Sequence, residues 1–160
     1  DDLSIPLSQF HKLNPNCTRV FITENKINGL SFPAQPQSMV IFGLGYGISM
    51  LKQASWFTQK ELFYWGDIDT HGFAILSQLR GYFPHAQSLL MDQETLQRFR
   101  SLWVKEDSNK RATRDLAVLT TAEFKLYDLL RSNYFGECVR LEQERIAYEH
   151  LVTSLSATIS

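Results

Sequence analysis

Residues 62–72 read Leu62-Phe63-Tyr64-Trp65-Gly66-Asp67-Ile68-Asp69-Thr70-His71-Gly72. The apolar run stops at Gly66 and two carboxylates one residue apart follow it. Apolar residues then recur at helical spacing at Phe73, Ile75, Leu76 and Leu79. This pattern predicts a buried strand, an acidic turn and a helix. In an open α/β sheet, ligands bind in the crevice beyond the carboxyl ends of the strands. One Asp placed there can simply cap the helix. A second carboxylate beside it adds like-charge repulsion unless a cation offsets it, and such oxygen donors suit a hard divalent ion.

Toward the N-terminus, Arg19-Val20-Phe21-Ile22-Thr23-Glu24-Asn25 is a short β-branched and aromatic run that ends on a glutamate. If the two strands are parallel neighbours, Glu24 shares one edge of the sheet with Asp67 and Asp69. A half-buried glutamate with no cation nearby is costly, so a single metal site built from two strand ends accounts for all three acids.

The same rhythm runs through the chain. Strands are predicted over about 19–24, 38–43, 61–67 and 87–91, and helices over about 47–55, 70–82, 93–103, 121–132 and 139–152. The Pro-interrupted stretch after Lys26 holds a short helix at most. Residues 1–18 read as a polar lead-in from a missing N-terminal region, with one short element near Leu7 to Leu13, and residues 19–160 as one domain. Strands alternating with helices imply right-handed crossovers and an α/β fold: a mostly parallel sheet flanked by helices, with a C-terminal helical extension.

With 160 residues, 44% apolar and 21% charged, the chain can bury a sizeable core as an ordinary globular domain. No apolar run approaches the roughly 18 residues of a membrane span. The opening Asp1-Asp2 has no signal-peptide character, and without an initiator Met it reads as a fragment or processed piece. Cys17 and Cys138 stand alone, which fits free thiols in a reducing cytoplasm. The net charge of −1 argues against a strong grip on nucleic acid by these residues alone. Lys105, Lys110, Arg111 and Arg114 sit in a polar connector that reads either as a solvated loop or as a phosphate-backbone contact. Gly43-Leu44-Gly45-Tyr46-Gly47 also follows a strand, but its glycine spacing matches neither dinucleotide nor P-loop signatures. A tight turn needing positive φ and a backbone patch near phosphate, through Gly45, are its two readings.

Four blocks, in order, carry a resemblance. They are Ile22-Thr23-Glu24-Asn25-Lys26, Phe42-Gly43-Leu44-Gly45-Tyr46-Gly47, Tyr64 through Phe73, and Arg140-Leu141-Glu142-Gln143-Glu144. A strand-end glutamate with a following Asp-x-Asp resembles the Toprim domain of topoisomerases, primases and some nucleases, with topoisomerase VI A subunits as the nearer kin. Together the blocks resemble the C-terminal Toprim domain of JetD, also called MksG, the nuclease subunit of the Wadjet plasmid-defence system. The similarity spans about residues 18–150, nearly the whole chain.

The resemblance implies a Toprim fold and a divalent-metal-dependent endodeoxyribonuclease that hydrolyses plasmid DNA in the cytoplasm. Its implied partners are double-stranded DNA and an SMC-like motor complex, with a homodimer through the full-length protein. Glu24, Asp67 and Asp69 would hold Mg²⁺ or Mn²⁺, Glu24 serving as ligand or as general acid/base. His71 is a candidate phosphate donor or general acid, with an exposed structural residue as its plainer reading. Lys26, Gly45 and Arg140 are candidate phosphate or DNA contacts. Glu142 and Glu144 are candidates for a second metal site. On a regular helix residues two apart point about 200° apart, so only one of them would reach inward while the other is solvated or pairs with an arginine; a surface helix with local ion pairs is the plainer reading. Two other readings stand beside the nuclease. One is a non-catalytic Toprim scaffold that binds DNA or a partner. The other is a haloacid-dehalogenase-like phosphotransferase, disfavoured because Thr70 is displaced by one from the D-x-D-x-T signature.

Overall fold

Val20, Phe21 and Ile22 on one strand and Leu62, Phe63 and Tyr64 on another are all buried, as expected for strands covered on both faces. The computed structural model describes residues 3–44 and 47–159. Its main sheet holds β1 (Arg19–Thr23), β2 (Ser38–Ile41), β3 (Glu61–Trp65) and β4 (Gln87–Ser88) in the order β2-β1-β3-β4. All three pairings are parallel, with Ile22 opposite Tyr64 and Thr23 opposite Trp65. The Phe21 and Phe63 rings stack at 5.2 Å between centroids, and each buried ring is worth about 1.5–3 kcal/mol of transfer energy. The order reverses between β1 and β3, which makes the carboxyl ends of those two strands the topological switch point.

Helices cover the sheet as the alternation requires. They are α1 (Leu7–Phe10), α2 (Lys26–Leu30), α3 (Thr70–Tyr82), α4 (Gln93–Arg98), α5 (Thr121–Arg131) and α6 (Tyr148–Ile159). Asp69 caps α3, whose residues Phe73, Ile75, Leu76 and Leu79 lie in the core. Thr120 and Glu123 form a capping box at α5, a reciprocal satisfaction of two free amides. The Arg80 guanidinium on α3 grips the Glu123 carboxylate at 2.6 and 3.0 Å. In the lead-in, Phe10 is buried and its carbonyl accepts the Trp56 indole N–H.

Several expected boundaries move. The fourth strand stops at Ser88 because Leu90 adopts a positive φ of 59°. The expected helix over 47–55 is two 3₁₀ segments, Ile48–Gln53 and Ser55–Gln59, broken at Ala54. The one over 93–103 ends at Arg98, and a 3₁₀ turn over Arg100–Leu102 follows.

The largest correction concerns 139–152. Its first residues are β6 (Val139–Arg140), paired antiparallel with β5 (Val104–Lys105). Leu141 then bridges Ile68, and Gln143–Arg145 makes a 3₁₀ turn. Tertiary strand pairing overrides the helical composition here, so the helical-wheel argument for Glu142 and Glu144 does not apply. The glycine loop supports the turn reading at Gly43 and Gly47, with φ of 71° and 82°, whereas Gly45 lies outside the described residues.

Among the described residues no helix is long and apolar enough to cross a membrane. Cys17 and Cys138 are free thiols.

Candidate functional site

The parallel register of β1 and β3 carries Glu24 and the Gly66-Asp67 turn out of the same end of the sheet. Asp69 then caps α3, its Oδ1 accepting the Gly72 amide at 2.6 Å. Gly72 is required by close approach, because a Cβ there would run into the Asp67 carbonyl oxygen and lie 3.3 Å from Asp69 Oδ1. The helix start is thereby pressed onto the acidic turn.

The segment from β6 closes the site from the other side. The Arg140 guanidinium donates to Asp67 Oδ2 through Nη2 at 2.6 Å and Nε at 3.1 Å. Its Nε also lies 3.4 Å from Asp69 Oδ2. Asp67 Oδ1 accepts the Gln143 amide at 2.8 Å, and the buried Gln143 side chain donates to Thr23 Oγ1 at the end of β1. Gln143, between the two suspected glutamates, is therefore the residue that enters the site. Glu142 lies 3.7 Å from Arg140 and 3.3 Å from Arg145. Glu144 accepts from the Asn25 amide group at 2.9 Å. One glutamate thus flanks Arg140 and the other meets the turn after Glu24.

The connector over 105–114 is only partly solvated. Glu106 is buried and accepts from Thr70 Oγ1 at 2.6 Å and the His71 amide at 2.9 Å. Arg111 pairs with it at 3.3 Å and donates to the Leu130 and Arg131 carbonyls and to Asn133 Oδ1. Lys110 stays exposed, as does Lys26 on the first turn of α2. Sequence patterning gave no signal for Gln143 or Glu106, because each acts through a contact made far away along the chain.

Burial dominates the electrostatics of the acidic turn. Burial, with Glu106 and Asp67 adding to it, pushes the Asp69 carboxyl up to about 7, against the Gly72 bond and Arg140. The Glu24 side chain is largely exposed, yet partial desolvation still raises its carboxyl; Asp67 adds to this while His71 and Lys110 oppose it. For Arg140 burial disfavours the charge, but Asp67, Asp69 and Glu142 outweigh it and raise its pKa. The Tyr64 hydroxyl is buried without a hydrogen-bond partner. It lies over Gly66, where burial and then Glu24, Asp67 and Asp69 hold it neutral.

Among the described residues no group of three or more His, Cys, Asp or Glu side chains is arranged to hold a metal ion. Asp67 and Asp69 are instead paired with the Arg140 guanidinium. The donor chemistry at this edge nonetheless suits a hard cation. Asp67 and Asp69 offer carboxylate oxygens, and the buried Tyr64 hydroxyl over Gly66 has no hydrogen-bond partner. Mg²⁺ needs few protein ligands, since it keeps several waters.

The family described as Wadjet protein JetD, C-terminal, matches residues 1–155. No curated protein matches the chain.

Proposed function

The chain belongs to the C-terminal family of the Wadjet protein JetD, and on that premise we propose that it is the DNA-cleaving domain of a plasmid-defence effector. The observation that carries this reading is the convergence of Asp67 and Asp69 on one cation, the Arg140 guanidinium, at the crevice between β1 and β3. Two carboxylates that gather a cation at a ligand-binding edge suit Mg²⁺ or Mn²⁺ with phosphate alongside.

In this reading Asp67 and Asp69 hold the metal, with Glu24 beside them. When bound, a divalent ion polarises a phosphoryl oxygen and stabilises the departing oxygen. Glu24, whose carboxyl is pushed up chiefly by desolvation, serves as ligand or as general acid/base. Arg140, once released from Asp67, presents two N–H groups in the planar geometry that suits a phosphate. His71 lies at the same helix start and is the candidate donor to the leaving group. The substrate is double-stranded plasmid DNA, delivered by an SMC-like motor complex in the cytoplasm. With a net charge of −1, these residues alone would grip DNA weakly, and more weakly as salt rises.

A non-catalytic scaffold is the second reading, favoured by the completeness with which Arg140 neutralises Asp67. Incubating the protein with supercoiled plasmid in Mg²⁺ or Mn²⁺, against chelator, separates the two. Metal-dependent cleavage that Asp67→Asn or Asp69→Asn abolishes without unfolding supports the nuclease. No cleavage by the wild type supports the scaffold, and cleavage at the wild-type rate by those variants would overturn the assignment of the site to Asp67 and Asp69.

A further inference from the structure

Glu106 is a buried carboxylate that the proposed chemistry does not use. It is 5% exposed and stands close enough to Asp69 to raise that carboxyl. Like charge and desolvation both oppose such a placement, so the geometry it imposes is the place to look for its purpose.

The first turn of a helix has amides with no partner inside the helix. A capping side chain can take the amide two or three residues on. For Asp69 those are His71 and Gly72. Glu106 Oε1 takes the His71 amide at 2.9 Å and the Thr70 hydroxyl at 2.6 Å. Asp69 Oδ1 is left with Gly72 at 2.6 Å, and its Oδ2 faces Arg140. The Thr70 hydroxyl oxygen in turn accepts the Ala112 amide at 2.8 Å, which fixes the rotamer of the bridge.

The backbone of Glu106 serves the opposite wall. Its amide donates to the Cys138 carbonyl at 2.7 Å, extending the β5–β6 ribbon that carries Arg140. One residue thus ties the ribbon bearing Arg140 to the helix start bearing Asp69. Arg111, anchored to the end of α5, holds the Glu106 carboxylate in place.

We propose that Glu106 is a positioning residue: it reserves the His71 amide, confines Asp69 to its cap on Gly72, and so aims Asp69 Oδ2 at the cation position. The aiming has a use only if the metal reading holds, whereas the capping choice stands without it.

Two measurements on this chain test the idea. The first is amide hydrogen exchange in chelator, and the second is Mn²⁺ titration followed by electron paramagnetic resonance. Glu106→Ala should lose protection at His71 and also at Gly72, as Asp69 turns toward the vacated amide. Its Mn²⁺ affinity should fall by about 10-fold or more, as expected when a group behind a metal ligand is removed. Glu106→Gln should keep both properties, because its amide oxygen accepts the same two bonds. Wild-type Gly72 protection in Glu106→Ala would overturn the proposal, as would Glu106→Gln behaving like Glu106→Ala. If Glu106→Ala does not fold, Thr70→Val decides by the same readout at Gly72: weakened protection supports the proposal and wild-type protection overturns it. Absence of Mn²⁺ binding by the wild type would sink the metal reading, while the exchange data still decide the role of Glu106.

Discussion

Arg140 Nη2 lies 2.6 Å from Asp67 Oδ2, joining residues 73 apart in the sequence. The guanidinium is the counter-ion of the acidic turn, and the proposed metal ion would compete with it. Replacing Arg140 by Gln should therefore have opposite effects in two conditions. In chelator near neutral pH the protein should lose about 2 kcal/mol, because Asp67 is left half-buried without its charged partner. In Mn²⁺ titration the affinity should rise about 10-fold, equivalent to about 1.4 kcal/mol. Unchanged Mn²⁺ affinity in Arg140→Gln would mean that Arg140 and the metal do not share these oxygens.

Asp69 gives the metal-free protein a defined pH dependence. Its carboxyl is raised from an ordinary value of 3.8 to about 7, so the folded state holds a proton that the unfolded chain releases. The contribution to stability is fully present below the ordinary value and is lost as pH rises through about 7. Asp69→Asn keeps an oxygen for the Gly72 amide and removes the charge. In chelator at about pH 8 it should be more stable than the wild type by up to a few kcal/mol, since each pH unit of displacement is worth about 1.4 kcal/mol. The advantage should shrink on acidification and be gone below about pH 4. Denaturant midpoints across this range check the sign; a variant destabilised at about pH 8 contradicts it.

Gly72→Ala tests the packing of α3 onto the acidic turn. The added methyl meets the Asp67 carbonyl, which is backbone and cannot swing aside. A loss of about 1–3 kcal/mol is expected from such overpacking, together with loss of the Asp69 cap. A thermal midpoint within a degree or so of the wild type would show that the turn yields freely.

Glu123 lies away from the acidic turn and should affect stability alone. Its carboxylate is buried and accepts from Arg80 and Ser88 as well as from the Thr120 amide. Burial alone would raise its pKa, but those bonds outweigh it and leave it lowered. Its contribution is thus present above the ordinary glutamate range and is lost as pH falls through the lowered value. Glu123→Ala should cost about 3–5 kcal/mol near neutral pH, because Arg80 is left charged and unpaired. Equal stability of the variant and the wild type would contradict the ion pair linking α3 and α5.

The residues that could be read in advance were those whose signal is local. The β1 and β3 runs, the acidic turn and the helix from Thr70 follow from apolar spacing, and Asp69 announces its cap. The shared edge of Glu24 and Asp67 follows from parallel pairing alone. Arg140-Leu141-Glu142-Gln143-Glu144 misled because its composition favours a helix, whereas Val139 and Arg140 are held by β5 and Leu141 by Ile68. That pairing brings Gln143, not the flanking glutamates, onto the acidic turn, its backbone amide donating to Asp67. Glu106 was hidden in a mixed-charge connector, where nothing local separates a solvated glutamate from one drawn inward by Thr70 and Arg111.

A divalent-cation site built by Asp67 and Asp69, as proposed, is open to direct measurement. Electron paramagnetic resonance counts free Mn²⁺ directly as it is titrated into the chain at about pH 8, where Asp69 is mostly ionised. The wild type should take up Mn²⁺ saturably and Mg²⁺ should compete for it, with Asp67→Asn and Asp69→Asn each binding at least about 10-fold more weakly. Equal Mn²⁺ uptake by the wild type and both variants would show that these two carboxylates do not hold the cation.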